Sequence, residues 1–180
     1  GQSTTSYIGF GDGRNGDLVV NNGETFALNT TRTSVTANGT NAVPANSSGF
    51  TVGDLLLFHQ TQGTTNVGRW EFNTILAINS ATSWTLAKPL QYIYDNTNGQ
   101  AQVIKVPQYR NVTVQAGGTL TGPTWDGTTG GILVFLASGT TMIYGTITTG
   151  GIGPGGGYSI SPAGYRGYPN YTPAGGAGNT

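Results

Sequence analysis

The chain has 180 residues, and only 8% of them are Asp, Glu, Lys or Arg, against roughly 25% in an ordinary globular protein. Seven basic and seven acidic residues balance, so no net field attracts nucleic acid or an anionic membrane. There is no Cys, and no apolar run approaches the roughly 20 residues of a membrane span. We therefore expect neither nucleic-acid binding nor membrane insertion.

Residues 1–49 are rich in Gly, Asn and Thr, and they predict an N-terminal arm followed by the first strands at 17–20 and 25–28. The turn signals DG, NG and NNG separate these short runs. Near the start, Tyr7, Ile8 and Phe10 are apolar and have no local partner. We expect this arm to add itself to the sheet of a neighbouring molecule and so to build a homopolymer.

Residues 50–109 alternate apolar and polar side chains most clearly, and they predict an antiparallel β unit, either a sandwich or a small barrel. No stretch keeps a helical period, so the whole chain is expected to be all-β. Trp70 and Trp84 lie in runs with alternating neighbours and are expected in the core. Alternation also places four aliphatic side chains and one alanine inside, namely Leu55, Leu57, Ile75, Ala77 and Val103.

Residues 110–153 repeat short apolar runs that each close at a Gly-containing step. Val112 and Ile132, which begin two of these runs, are 20 residues apart, close to one solenoid coil. The pattern predicts β-solenoid-like coils, with hairpins in a sandwich as the alternative. The inward-facing candidates are Val112, Val114, Leu120, Ile132, Val134, Leu136, Met142, Tyr144 and Ile147.

Residues 154–180 form a tail rich in Gly, Pro and Tyr that has too little apolar mass for a core. Tyr165, Tyr168 and Tyr171 recur every third residue, which is the period of polyproline II. An extended tail with its rings on one edge could contact a neighbouring subunit or a sugar. A flexible linker is the alternative.

Three segments together resemble a class of bacterial extracellular proteins. They are GDGRNGDLVV near the start, TVGDLLLFHQTQG in the middle, and VIKVPQYRNVTVQAGGTLTGPTWDGTTGGILVFLASG. In that class a GDG opening and a GD-type barrel-like segment precede Gly-rich β-solenoid-like coils. The resemblance implies an adhesin-like or fibre-forming protein outside the cell, at the cell surface. It carries over no catalytic residue, and the Pro, Tyr and Gly tail departs from its pattern.

Few residues suggest chemistry. The single histidine, His59, lacks a nucleophile motif and is better explained as a hydrogen-bonded structural residue. The acidic residues are scattered singly, so we expect no enzyme activity. Asp12, Asn15 and Asp17 place three oxygen ligands in a Gly-rich loop and predict a calcium site. Turns capped by their own Asx side chains would explain the same pattern.

Two other signals concern sugars. Trp125, in the segment PTWDGTTG, is the tryptophan expected to be exposed and available for sugar stacking. Five sites match the N-x-[ST] pattern for attached glycans, namely Asn29, Asn38, Asn46, Asn111 and Asn170.

Two functions are compatible with these observations. The first is a structural extracellular protein, a subunit of a self-assembling filament, sheath or adhesin held together by the N-terminal arm and the tail. Low charge, abundant Gly, Thr and Asn, and open strand edges favour it. The second is a carbohydrate-binding, or less favourably carbohydrate-cleaving, β-solenoid module of a surface or phage tail-fibre protein. Its partner would be a surface polysaccharide.

Overall fold

The computed structural model describes residues 9–154, 158–160 and 163–165, and within these ranges the chain is all-β with no helix. The predicted fold class is therefore confirmed. The element order shows three coils with a barrel inserted after the first of them. No helix among the described residues is long and apolar enough to cross a membrane.

The strands follow this division along the chain. The first coil contains β1 (Leu18–Val20) and β2 (Thr25–Ala27). The barrel contains β3 (Arg32–Asn38), β4 (Asn41–Pro44), β5 (Leu55–Gly63), β6 (Trp70–Ser80), β7 (Ser83–Leu86) and β8 (Gly99–Lys105). The second coil contains β9 (Gln108–Tyr109), β10 (Val112–Val114) and β11 (Thr119–Thr121). The third coil contains β12 (Leu136–Ala137), β13 (Thr141–Ile143) and β14 (Thr146–Ile147), and β15 (Tyr158–Ile160) pairs with β16 (Ala163–Tyr165) as a hairpin.

The three coils stack through parallel ladders, which is the arrangement of a β-solenoid. One ladder has the order β1-β10-β13 and the other β14-β11-β2, while β9 pairs with β12. In the first ladder Val20 lies beside Val114, and Val114 lies beside Ile143. Parallel pairing without helices requires the chain to wind round and return to the same wall, so the predicted coils are present.

The barrel strands pair antiparallel in the order β3-β4-β7-β6-β5-β8, and β3 closes the barrel against β8. Leu56 and Phe58 point into the barrel, where Trp84 and Tyr94 are also fully buried. Phe58 and Tyr94 have ring centroids 5.5 Å apart. The small barrel is therefore the correct choice between the two predicted forms.

The barrel and the solenoid meet through two continuous apolar runs. In β5, Leu56 and Phe58 face the barrel interior, whereas Leu55 and Leu57 face outward. The run 132–137 packs Ile132, Val134 and Leu136 on that outer face of the barrel, and Leu133, Phe135 and Ala137 on the solenoid core. Leu55 and Leu57 are buried as predicted, whereas Ile132, Val134 and Leu136 are only partly buried, and these two sets pack against each other between the two units. Both runs lack alternation because both of their faces are covered.

The boundaries of the units differ from those predicted. Residues 32–44 supply two strands of the barrel, although the sequence placed them with the N-terminal region. The strands at 18–20 and 25–27 complete the solenoid as its first coil. Leu18 pairs with Val112 across 94 residues of sequence, and a three-residue strand carries no signal of so distant a partner.

Three apolar side chains of the third coil are exposed although the pattern predicts them inside: Met142, Tyr144 and Ile147 are 46%, 67% and 40% exposed. Met142 is in register with Thr113 and Val19, so it lies on the outer face of its ladder. Ile147 lies at one end of the described stack, whereas Leu120, its partner in the second coil, is fully buried because a coil covers it on each side. Ala77, which was predicted inside the barrel, is only half-buried.

Asn29 joins all three parts of the fold. It follows β2, adopts a left-handed backbone with φ of 61°, and is 6% exposed. Its Oδ1 accepts the Val134 N–H at 2.8 Å. Its Nδ2 donates to the Val134 carbonyl at 2.8 Å and to the Lys105 carbonyl at 3.3 Å. One amide therefore connects the exit from the first coil, the end of the barrel and the run between them.

Replacing Asn29 with Ala should lower the free energy of unfolding by about 2–4 kcal/mol. The change leaves buried N–H and C=O groups without partners, which costs about 1–3 kcal/mol each, and it places Ala in a left-handed backbone. Urea unfolding followed by tryptophan fluorescence measures the loss.

Asn38→Ala is the matched control, because Asn38 is exposed and its loss should change stability by no more than about 0.5 kcal/mol. Equal effects of the two substitutions would contradict the role given to Asn29.

Candidate functional site

The outer wall of the barrel carries an exposed aromatic surface that we call the Trp70 platform, made of His59, Thr61, Trp70 and Phe72. In the β5–β6 register His59 lies opposite Trp70, and Leu57 lies opposite Phe72. Paired residues share one face of a sheet, so His59, Trp70 and Phe72 point outward with Leu57, and the Thr61 hydroxyl contacts His59. The run 132–136 covers Leu57 but leaves Trp70 57% exposed.

The two aromatic rings of the platform support each other. The centroids of Trp70 and Phe72 are 5.6 Å apart with an interplanar angle of 77°, an edge-on contact. Phe72 is half-buried against the Leu55 and Leu57 cluster, so it anchors the indole to the barrel. A rigidly supported, exposed indole is a surface suited to stacking on an apolar ligand face.

A polar chain lies beside the indole. The buried Gln102 side chain donates to Thr61 Oγ1 at 2.8 Å, and it exchanges two hydrogen bonds with the backbone of Gly130, at 3.0 and 2.8 Å. Thr61 Oγ1 lies 2.8 Å from His59 Nδ1. Since Gln102 supplies a donor to Thr61, we assign the Thr61 proton to the bond with His59 Nδ1.

His59 is held neutral by its surroundings. Burial lowers the pKa of the imidazole below its ordinary value of 6.5, because desolvation disfavours the charged form. With Nδ1 accepting from Thr61, the ring proton lies on Nε2. The platform therefore combines an aromatic face with a neutral hydrogen-bond donor.

Two of the three tryptophans differ from the prediction in whether their side chains are buried or exposed. Trp84 is in the barrel core as expected, at 1% exposed, and its Nε1 donates to Ser47 Oγ at 2.7 Å. Trp70 was expected in the core but is exposed. Trp125 was expected at the surface but is 8% exposed, because its loop folds back and its backbone N–H donates to the Ile152 carbonyl at 2.7 Å. Sugar stacking on Trp125 stays a prediction, and it would require the indole to leave its buried position.

All seven acidic side chains lie in the described ranges, and each is already bonded within the chain. Four contact cations: Asp12 with Arg14 at 2.6 Å, Asp54 with Lys105 at 2.9 Å, Asp17 with Arg110 at 3.0 Å, and Asp126 with Arg32 at 3.7 Å. Asp126 and the other three also accept backbone N–H groups of turns and loops, and those three are Glu24, Glu71 and Asp95. The predicted lack of enzyme activity stays a prediction.

The three side chains predicted to bind calcium are directed to different partners. Asp12 binds Arg14, and Asn15 Oδ1 accepts the Gln108 N–H at 2.8 Å. Asp17 binds Arg110 and the Asn111 amide. Among the described residues no group of three His, Cys, Asp or Glu side chains is placed to hold a metal. Calcium binding stays a prediction, and it would require Asp12 and Asp17 to leave their arginines.

Two shallow grooves are lined by residues outside the platform. One, of about 270 Å³, runs over the outer face of the β1-β10-β13 ladder, where exposed Val19 and Met142 are in register with half-buried Thr113. The other, of about 220 Å³, lies between the first coil and the barrel and is lined by Phe26, Lys105 and Tyr109 among others. Neither groove contains a carboxylate without a partner.

The remaining predicted site residues have different outcomes. Asn29 cannot carry a glycan in the folded chain, because its amide nitrogen is buried and donates to two carbonyls. Asn38 and Asn46 are exposed, whereas Asn111 is half-buried and bonds Asp17. Glycosylation at these three stays a prediction. Asn170 lies outside the described residues.

The predicted assembly residues are mostly beyond the described ranges. Tyr7, Ile8, Tyr168 and Tyr171 fall outside them. Phe10 is 78% exposed. Tyr165 is in β16, paired antiparallel with Tyr158, so it does not belong to the predicted polyproline II segment. Homopolymer formation stays a prediction.

No protein-family model and no curated protein matches this chain. Among solved structures it is similar to the tailspike protein gp49 of Pseudomonas phage LKA1, with 16% identity and a TM-score of 0.32. It is also similar to the gp54 tailspike of Acinetobacter baumannii bacteriophage AP22, with 12% identity and a TM-score of 0.38. These similarities cover 52% and 73% of this chain but only 20% and 27% of the two tailspikes.

The protonation of His59 gives a pH prediction. The folded-state pKa of His59 is lowered, so its neutral form contributes stability that is complete above the unfolded value of 6.5 and is lost as the pH falls. Between pH 7.5 and 5.5 the free energy of unfolding should fall by at most about 1.4 kcal/mol. Unfolding in urea at each pH measures this.

His59→Gln should remove the change, since His59 is the single histidine. The pKa values of Asp12, Asp17, Asp95 and Asp126 lie below 3.8, so their losses come at lower pH. An unchanged pH dependence in the His59→Gln variant would assign it to another group.

Proposed function

We propose that the chain is a saccharide-binding module of an extracellular surface or tail-fibre protein, with the Trp70 platform as its binding site. The observation that carries this proposal is the exposed indole of Trp70, held edge-on by Phe72 on a closed barrel. A large exposed aromatic side chain is costly to hydrate, and here it lies on a rigid sheet beside polar groups.

The chemistry of the platform suits a neutral sugar ring. The C–H face of a pyranose can stack on the indole, while His59 Nε2 can donate to a ring hydroxyl. The chain is 8% charged and the outward row through Trp70, His59 and Gln102 has no charged side chain. We therefore expect a neutral oligosaccharide to bind more tightly than a uronic or sialic acid.

The rest of the fold supports binding better than cleavage. The seven carboxylates are engaged in turns and ion pairs, so no unpaired acid and base flank the platform. The AP22 tailspike is described in complex with a capsular saccharide. That similarity is too low to locate a site in this chain, and the proposal is based on the platform alone.

Binding should depend on Trp70. In a screen of immobilised glycans followed by fluorescence titration with the glycans that bind, Trp70→Ala should weaken binding at least about tenfold, or 1.4 kcal/mol. Because Trp84 and Trp125 are buried, the titration signal in the native chain should come from Trp70.

Leu76→Ala is the matched control, since Leu76 is 59% exposed on the same strand and outside the platform. It should leave binding unchanged. Failure of the native chain to bind any glycan, or equal binding by Trp70→Ala, would refute the proposed site.

A further inference from the structure

Asn-Gly steps occur at four places in the chain, at residues 15, 22, 38 and 98. Such a step can react with itself, because the glycine has no Cβ to keep its backbone nitrogen away from the preceding side-chain amide. The attack needs a backbone N–H that is not already bonded, and it needs room for the ring that forms. The structure separates the four steps by these two requirements.

Two of the steps hold the attacking nitrogen in a hydrogen bond. Gly16 N–H donates to a backbone carbonyl of its own turn at 2.9 Å, and the preceding Asn15 Oδ1 accepts the Gln108 N–H at 2.8 Å. Gly23 N–H donates to the Gly117 carbonyl at 3.1 Å. Each bond must break before the nitrogen can attack, which slows the reaction by about fivefold for one net hydrogen bond.

The step at Asn98 is crowded. Gly99 lies in β8, where a Cβ would meet the Gln62 carbonyl and the Gly63 Cα atom. Asn98 Nδ2 also donates to the Asp95 carboxylate at 3.5 Å. A ring formed at this step would require the adjoining ends of β5 and β8 to separate.

The step at Asn38 meets both requirements. Asn38 is the last residue of β3, at the tip of the β3–β4 hairpin, and it is exposed. Within the described ranges neither its side-chain amide nor the Gly39 N–H makes a hydrogen bond, although the Gly39 carbonyl accepts the Leu90 N–H at 2.9 Å. Apart from chain neighbours, nothing lies within 4 Å of where a Gly39 Cβ would be. Rotating the Asn38 backbone disturbs only the last ladder pair, with Asn41.

We propose that Asn38 is a site of spontaneous covalent modification in the folded chain. The Gly39 nitrogen loses its proton and forms a bond to Asn38 Cγ, the side-chain nitrogen leaves as ammonia, and a cyclic imide results. Water then adds to either imide carbonyl and opens the ring, so position 38 becomes an aspartate or an isoaspartate. The reaction uses water alone, and the proposal does not depend on saccharide binding.

The modification changes the tip of the hairpin. Either product places a carboxylate opposite Asn41, and the isoaspartate adds one backbone carbon, which disturbs the register next to the turn. Asn38 also matches the N-x-[ST] pattern, and glycan attachment uses the same amide nitrogen. A chain modified in one way is therefore no longer a substrate for the other reaction.

Peptide mapping by mass spectrometry tests the assignment. The full chain is kept folded at mildly alkaline pH, and conversion of each Asn-Gly step to the acid is followed with time. We expect position 38 to convert at least about fivefold faster than positions 15, 22 and 98, the factor that one net hydrogen bond gives. Asn38→Ala should remove the main acidic form of the chain seen by ion-exchange chromatography.

The control is the same chain unfolded in guanidinium chloride, where the four steps lose their native contacts. Their rates should then agree within about threefold, since all four share the same local chemistry. Conversion of another step as fast as that of Asn38 in the folded chain would overturn the proposal. So would a fivefold preference for Asn38 in the unfolded chain, because the preference would then come from the local sequence and not from the fold.

Discussion

The amide of Asn29 is the interaction on which the arrangement of the two units depends. The chain leaves the first coil next to Asn29 and returns from the barrel at Lys105, so the barrel is an insertion whose two ends must lie together. Asn29 Nδ2 bonds the Lys105 carbonyl at that return point, and both polar groups of its side chain bond Val134. Because the amide is buried, each of these bonds is costly to lose.

The run 132–137 then makes the insertion rigid. Its alternate side chains enter two different cores, one on the outer wall of the barrel and one inside the solenoid. An extended run that packs on both faces cannot shift by one residue without exchanging its two sets of contacts. The barrel is thus fixed on the solenoid wall, and the Trp70 platform on that barrel has a fixed position relative to the coils.

In this chain of few charged residues, Asp and Asn side chains serve as hydrogen-bond partners of the backbone. Asp and Asn side chains accept backbone N–H groups in turns, as Asp126 does for Thr128 and Thr129, and between coils, as Asp17 and Asn111 do. The outward row through Trp70, His59 and Gln102 has no charged side chain, which is why we favour recognition of a neutral ligand.

The sequence by itself determined the β class, the turns and the two kinds of unit. Period-2 alternation in 50–109 and the Gly-closed runs in 110–153 depend on local chemistry, and the structure contains a barrel and parallel coils in these regions. Alternation also placed Trp84 in the core correctly.

Only the tertiary structure decided which side of each strand met which neighbour. Trp70 alternates as a core residue does, yet the run 132–136 packs with Leu57 and Phe72 and leaves Trp70 exposed. Trp125 lies in a polar Gly-rich loop, yet that loop folds back towards Ile152 and buries the indole. The sequence did not reveal the first coil, because β1 pairs with β10, whose residues follow 94 positions later in the chain. Alternation shows on which face of a strand a side chain lies, but its burial depends on what packs against that face. A pairing between distant short strands leaves no pattern in the local sequence.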